Sequence, residues 1–210
     1  MPEADGRIIA NVERLHAAMD RHRLAAVVAR SGQNVTYLAG FAYPGTLARH
    51  LDLTDSTRGV LLVWPRHGEP VIVLNKIAEG LAGRDSWVKR TEVYDAYTES
   101  PYASLALVLE AAGLARERVG FEKTYVSAAH WEDLQRRLPQ LQMVDVRRVM
   151  DEVRWVKTPG EIARLKRGAD LLDDAYLEVF PTIRPGERER AVHSRITSRT
   201  WSSCARAAPS

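Results

Sequence analysis

Six histidines, one cysteine and one serine–histidine pair are the residues of this 210-residue chain whose types could do chemistry. The histidines stand at 16, 22, 50, 67, 130 and 193. Residues that share a metal ion from one helix sit three or four positions apart, so that both rings leave the same face. His16 and His22 are six apart, and no two of the six histidines stand at ligand spacing, so all six read as surface histidines. Ser127 and His130 lie one helical turn apart, which could set a base beside a nucleophile. A serine there also caps a helix, and no orienting acid accompanies the pair, so capping is the reading taken. Cys204 is the only cysteine, which excludes an intramolecular disulfide and a thiolate metal cluster. Gly32, Gly40, Gly45 and Gly59 form no phosphate-cradling pattern, so nucleotide binding has no support.

The elements that would have to position such residues alternate between two periods. Ile8, Val12, Leu15 and Met19 recur at helical spacing, and the apolar run Leu24 to Ala29 suits a buried strand. Asn34 to Phe41, NVTYLAGF, is rich in β-formers and reads as a strand followed by a long polar loop. GVLLVW and PVIVLN flank PRHGE, whose Gly68 can take a positive φ, and predict an antiparallel hairpin. Trp87 to Tyr94 is a further strand, Tyr102 to Gly113 a helix closed by glycine, RVGFE a short strand, Ser127 to Leu138 a helix and QMVDV a last strand. The expected fold is α/β, a mixed β-sheet flanked by helices, over residues 1–150.

Local signals are clearest further on. Thr158 can cap a helix, Pro159 suits its first position, and Glu161 three residues after the cap completes a capping box. Ile162, Leu165, Leu172, Tyr176 and Val179 then form one stripe, with Ala169 between, until Phe180-Pro181 ends the helix. Residues 151–157 read as a linker and 158–196 as the first helices of a second domain. From 197 to 210 the composition turns to Ser, Arg and Ala with no acid, which predicts an aberrant or disordered tail and suggests a frameshift or premature end.

Charge and composition exclude several classes. Without its four arginines past Glu189 the net charge of +3 becomes −1, so the body carries no footprint for nucleic acid. An acidic N-terminus without an apolar core, and no apolar run near ~18 residues, argue against a signal peptide or a membrane span. A reducing, cytoplasmic setting is the simplest fit to one cysteine.

NVTYLAGF, GVLLVWPRHGEPVIVLN, VGFE and above all VDVRRVMDEVRWVKTPGEIARLKRGAD resemble the creatinase, Xaa-Pro dipeptidase and aminopeptidase P family over roughly Asn11 to Ile196. In that family a small α/β domain precedes a pita-bread catalytic domain. The joining stretch is matched here by the linker motif Arg154, Lys157, Thr158, Pro159 and Glu161, with Ile162 following. The resemblance implies a hydrolase that holds two divalent metals, Mn, Co or Zn, on five ligands deep in the catalytic domain. None of those segments matches here, so the expectation is that this chain binds no such metal and is inactive alone: an N-terminal, non-catalytic part of the enzyme. The alternative is a stand-alone peptide-binding, protein-binding or dimerisation module of the same fold.

The family's loop after YLAGF can reach a neighbouring subunit's active site. The resemblance therefore makes Phe41, Tyr43, Arg49 and His50 substrate-lining candidates, aromatic surface beside cations that could hold a carboxylate. A small-molecule or proline-containing peptide substrate is expected only in a full-length relative. The helical stripe after Thr158, expected to bury against the absent sheet, predicts homodimerisation or wider self-association.

Overall fold

A computed structural model describes residues 9–30, 32–41 and 59–207 of the chain. It separates into two compact units, residues 1–156 and 157–210.

In the first unit, α1 (Val12–His22) is capped by Asn11, whose side chain accepts the Arg14 N–H, and leads into β1 (Ala26–Ala29). The segment α2 (Gly32–Ala39) follows. The hairpin β2 (Leu61–Pro65) and β3 (Val71–Asn75) pairs antiparallel, with Leu62 opposite Ile72, and Gly68 turns the chain at φ +110° as the sequence predicts. Asn75 then caps α3 (Lys76–Asp85). Next come β4 (Arg90–Tyr94), α4 (Pro101–Ala111), β5 (Arg118–Phe121), α5 (Ala128–Arg137), β6 (Gln142–Asp145) and α6 (Arg147–Trp155).

The six strands form one mixed sheet in the order β4-β3-β2-β1-β5-β6. Only β2 runs against its neighbours. Successive residues of a strand face opposite ways, so each central strand feeds two cores. Val27, Ala29, Leu62, Ile72 and Leu74 meet α1, α2, α3 and α6 on one face. Ala26, Val28, Leu61, Val63 and Val73 meet α4 and α5 on the other. Burial on both faces explains why these strands read as continuous apolar runs.

The sequence reading needs three corrections here. NVTYLAGF is helix, not strand: Val35, Leu38 and Ala39 fall at three-four spacing and are buried, and packing outweighs their β-propensity. Residues 151–155 of the expected linker belong to α6, whose Val149, Met150 and Val153 sit in the core. His16 is not simply a surface residue, since its ring contacts Trp64 and Arg66.

In the second unit, α7 (Pro159–Val179) opens on the expected capping box, with Thr158 Oγ1 accepting the Glu161 N–H and Glu161 Oε2 accepting the Thr158 N–H. A short 3₁₀ turn, Phe180–Thr182, and Gly186 at φ +87° reverse the chain into α8 (Glu189–Ala207). Residues 197–207 are therefore helical rather than a disordered tail. Thr200 and Ser202 donate their hydroxyls to Ile196 and Ser198 carbonyls one turn back, and Arg199 pairs with Glu178 of α7, which ties this composition into a helix.

Candidate functional site

Because β1, β3, β4 and β5 are parallel, their carboxyl ends fall on one edge of the sheet, where open α/β folds gather polar groups. The residues that follow or end those strands are Arg30, Asn75, Tyr94 and Glu122, and all are buried. Glu122 joins one of these strand ends to α2. Its Oε2 accepts the Arg30 backbone N–H at 2.5 Å and its Oε1 accepts the Asn34 side-chain N–H at 2.5 Å, which fastens the first turn of α2 to the end of β5. The Tyr94 hydroxyl donates to the Gly59 carbonyl at 2.6 Å, so β4 holds the chain just before β2. The Arg30 side chain, 1% exposed, lies against the same glycine: a Cβ at Gly59 would come within 3.2 Å of its guanidinium.

Asn34 relays this network outward. Its Oδ1 and the Gln33 Oε1 accept from the Arg154 guanidinium at 3.4 and 3.2 Å, and that guanidinium lies 5.9 Å from the Tyr37 ring centre. The Tyr37 hydroxyl in turn accepts the Asn11 N–H at 2.8 Å. Arg154, the first residue of the linker motif, thus clamps α6 onto α2. An open groove of about 480 Å³ beside it is lined by Ile9, Gly32, Gln33, Thr36, Tyr37 and Arg154. A buried carboxylate with a donor on each oxygen, next to engaged amides, is the arrangement of a structural anchor.

Of the substrate-lining candidates, Phe41 is buried in the α2 core and offers no surface to a ligand. Tyr43, Arg49 and His50 lie outside the described residues. Of the linker motif, Pro159 occupies the first turn of α7, Thr158 and Glu161 form the capping box, and Lys157 is exposed just before it. Ser127 caps α5, accepting the His130 N–H, while the His130 ring stacks on Tyr102 at 4.3 Å. Among the described residues, no group of three or more His, Cys, Asp or Glu could hold a metal ion, so the residues present do not fit a dinuclear centre. None of the described helices is long and apolar enough to cross a membrane. Sequence reasoning missed the Arg30–Asn34–Glu122 network; the one available signal was that Arg30 and Glu122 each follow an apolar strand directly.

A mixed six-stranded sheet with helices on both faces, followed by a helical unit opened by the R-x-x-K-T-P-x-E motif, defines an α/β domain of the class found at the N-terminus of prolidase-like proteins. The chain belongs to the Creatinase/Prolidase N-terminal domain family, which it matches over residues 11–156. It is similar to an uncharacterized hydrolase/peptidase of Sinorhizobium fredii, 24% identical across 86% of this chain and 46% of that protein. It is also 26% identical to the creatinase of a Bacillus species, across 86% of this chain and 42% of that one. Among solved structures, the X-Pro aminopeptidase of Thermotoga maritima shares the fold at a TM-score of 0.71 and 14% identity, with 90% of this chain and 48% of that one covered. The chain spans under half the length of these relatives.

Proposed function

We propose that this chain is the N-terminal, non-catalytic part of a metal-dependent hydrolase of the Xaa-Pro dipeptidase and creatinase type, and that it is inactive alone. The observation that carries this reading is the family match, which ends at residue 156, where the first compact unit ends, in relatives about twice as long. Two divalent metals, Mn, Co or Zn, would act in the remainder of a full-length relative. A small-molecule or proline-containing peptide substrate would bind there as well. A cytoplasmic setting accords with the single cysteine.

The test is direct. The purified chain, given Mn²⁺, Co²⁺ or Zn²⁺, is expected to hydrolyse neither Xaa-Pro dipeptides nor creatine and to hold no stoichiometric metal after desalting. Metal-dependent turnover that survives repurification sinks the proposal.

A second reading, a binding or dimerisation module of the same fold, is favoured by one observation: Ile162, Leu165, Leu172 and Tyr176 of α7 are exposed.

A further inference from the structure

We propose that the outer edge of β4 pairs with β4 of a second copy of this chain, antiparallel and centred on Thr91, so that Arg90 of each copy faces Glu92 of the other. The surface lies wholly within the first unit, goes beyond the readings above and depends on neither.

β4 ends the sheet and pairs only with β3, so among the described residues one row of its backbone N–H and C=O groups has no strand beside it. An open edge of this kind is a template for another strand. It lies at the side of the sheet opposite β6, the strand that leads into α6 and the end of the unit. Arg90 and Thr91 are exposed and Glu92 is half-buried. Neither Arg90 nor Glu92 makes an ion pair or a side-chain hydrogen bond among the described residues.

Exposed apolar side chains gather around the same edge. Apart from Trp155 and Val156 at the end of the unit, those among its described residues are Ile77, Tyr97 and Leu107. All three stand on elements that border β4: α3, the turn after β4, and α4. Lys76 at the start of α3 bonds Asp95, the residue after β4, at 3.2 Å, which keeps that helix beside the strand. Apolar groups around an unpaired strand mark an interaction surface.

The charge order of β4 names the occupant. Open edges are commonly protected by lysines, whose single sign repels a second copy. Here the order is Arg90-Thr91-Glu92, so the signs alternate about a neutral residue. In an antiparallel pair, residues directly opposite share one hydrogen-bonding class, and the classes alternate along each strand. A strand paired with its own copy is therefore centred on a residue, never between two. Centring on Arg90 or on Glu92 sets like charges face to face. Centring on Thr91 sets threonine against threonine and Arg90 against Glu92 twice, which are favourable cross-strand pairs. The contact is closed and self-complementary, as a two-fold dimer must be.

The flanking helix completes it. Tyr94 is buried in the core under α4, so Arg90 and Glu92, at even spacing before it, share that face. There both line, with Leu107, Val108 and Ala111 of α4, a cleft of about 480 Å³. A two-fold axis normal to the sheet keeps α4 of both copies on this one face, which sets the exposed Leu107 of each copy beside the Arg90–Glu92 pairs.

Sedimentation velocity of the full chain across a wide concentration range tests the contact, with no hydrolysis measured, so its failure is separate from that of the inactivity reading. The unmodified chain is expected to dimerise. Arg90→Glu and Glu92→Arg should each raise the dimer Kd about tenfold, because each sets two like-charge pairs across the axis. The double variant Arg90→Glu/Glu92→Arg exchanges the partners and should return Kd to near its original value. A covalent readout locates the axis. In a Cys204→Ser background, Thr91→Cys sets two thiols opposite each other and should form an interchain disulfide on mild oxidation. Lys89→Cys, whose two copies stand four positions out of register, should not. A monomer at every concentration overturns the proposal. So does a dimer indifferent to the charge reversals, or one in which Thr91→Cys links no faster than Lys89→Cys, since another surface, α7 included, would then hold it.

Discussion

The indole N–H of Trp64 is donated to His16 Nε2 at 3.1 Å, joining the end of β2 to α1. The same imidazole presents Nδ1 to the Arg66 guanidinium at 3.2 Å, and Arg66 is held in a bidentate pair with Asp20 one turn along α1. An imidazole that accepts at Nε2 must be neutral, and a guanidinium beside Nδ1 opposes a second proton.

That contact makes stability depend on pH in a stated direction. Burial, and after it Arg66, lower the His16 pKa from its ordinary 6.5; Asp20 opposes and His67 adds to the lowering. In the unfolded chain the group regains its ordinary value. The unfolded state then binds the extra proton as pH falls below 6.5, and the folded state does not. The His16 contribution is therefore complete above pH 6.5 and is lost as pH falls from there towards the lowered value. The thermal midpoint should drop between pH 7 and about pH 5.5, and drop less in His16→Gln. A variant as acid-sensitive as the unmodified chain would remove His16 from this role.

Glu122 offers a larger effect. Truncation to alanine removes the carboxylate that the Arg30 N–H and the Asn34 amide share in the core. Breaking such a buried network costs about 3 kcal/mol, since each donor keeps its desolvation penalty. Urea unfolding of Glu122→Ala should show that loss with little change in slope. A loss under about 1 kcal/mol would mean that water replaces the carboxylate.

What the sequence discloses and what it conceals divide along the range of the interactions involved. The Thr158–Glu161 capping box, the positive φ of Gly68 and the Ser127 cap are set by neighbours within a few residues, and each reads directly. The buried stripe of α6 was legible in principle, with Val149, Met150 and Val153 at helical spacing, but the resemblance of the Arg154 to Glu161 stretch to a joining segment drew the linker over 151–157. For α2 the local signal was adverse: Val35, Thr36 and Tyr37 favour strand, and only the fold around them makes a helix. The carboxyl-edge network is the least legible, because Arg30, Tyr94 and Glu122 are brought together by strand order alone, and strand order is a long-range property.

Close packing at β5 gives another test. A Cβ at Gly120 would overlap Val146 Cγ1 and also meet its Cβ and Cγ2 at 3.3 Å. Gly120→Ala should therefore destabilise the first unit by about 1–3 kcal/mol. The double variant Gly120→Ala/Val146→Ala removes the overlapping methyl groups, so a denaturation cycle should reveal a favourable coupling between the two changes. Strict additivity of the two losses would place the strain elsewhere.

The last prediction concerns where the chain opens to proteases. Residues 151–155 are helical, and Val149, Met150 and Val153 anchor α6 in the core, so a cut within this stretch requires local unfolding. Arg154 is further held by Gln33, Asn34 and the Tyr37 ring. Val156, Lys157 and Thr158 belong to no helix or strand, Val156 and Lys157 are exposed, and the boundary between the two compact units falls between Val156 and Lys157. Exposed, irregular chain between packed units is what proteases take first. Brief trypsin treatment should therefore cleave after Lys157 well before Arg148 or Arg154, and release a stable fragment ending at Lys157. In Arg154→Ala, which loosens the α6–α2 clamp, the Arg148 site should become susceptible sooner. Early cleavage at Arg148 or Arg154 in the unmodified chain, seen by mass spectrometry of the first fragments, would show that α6 is not an integral part of the first unit.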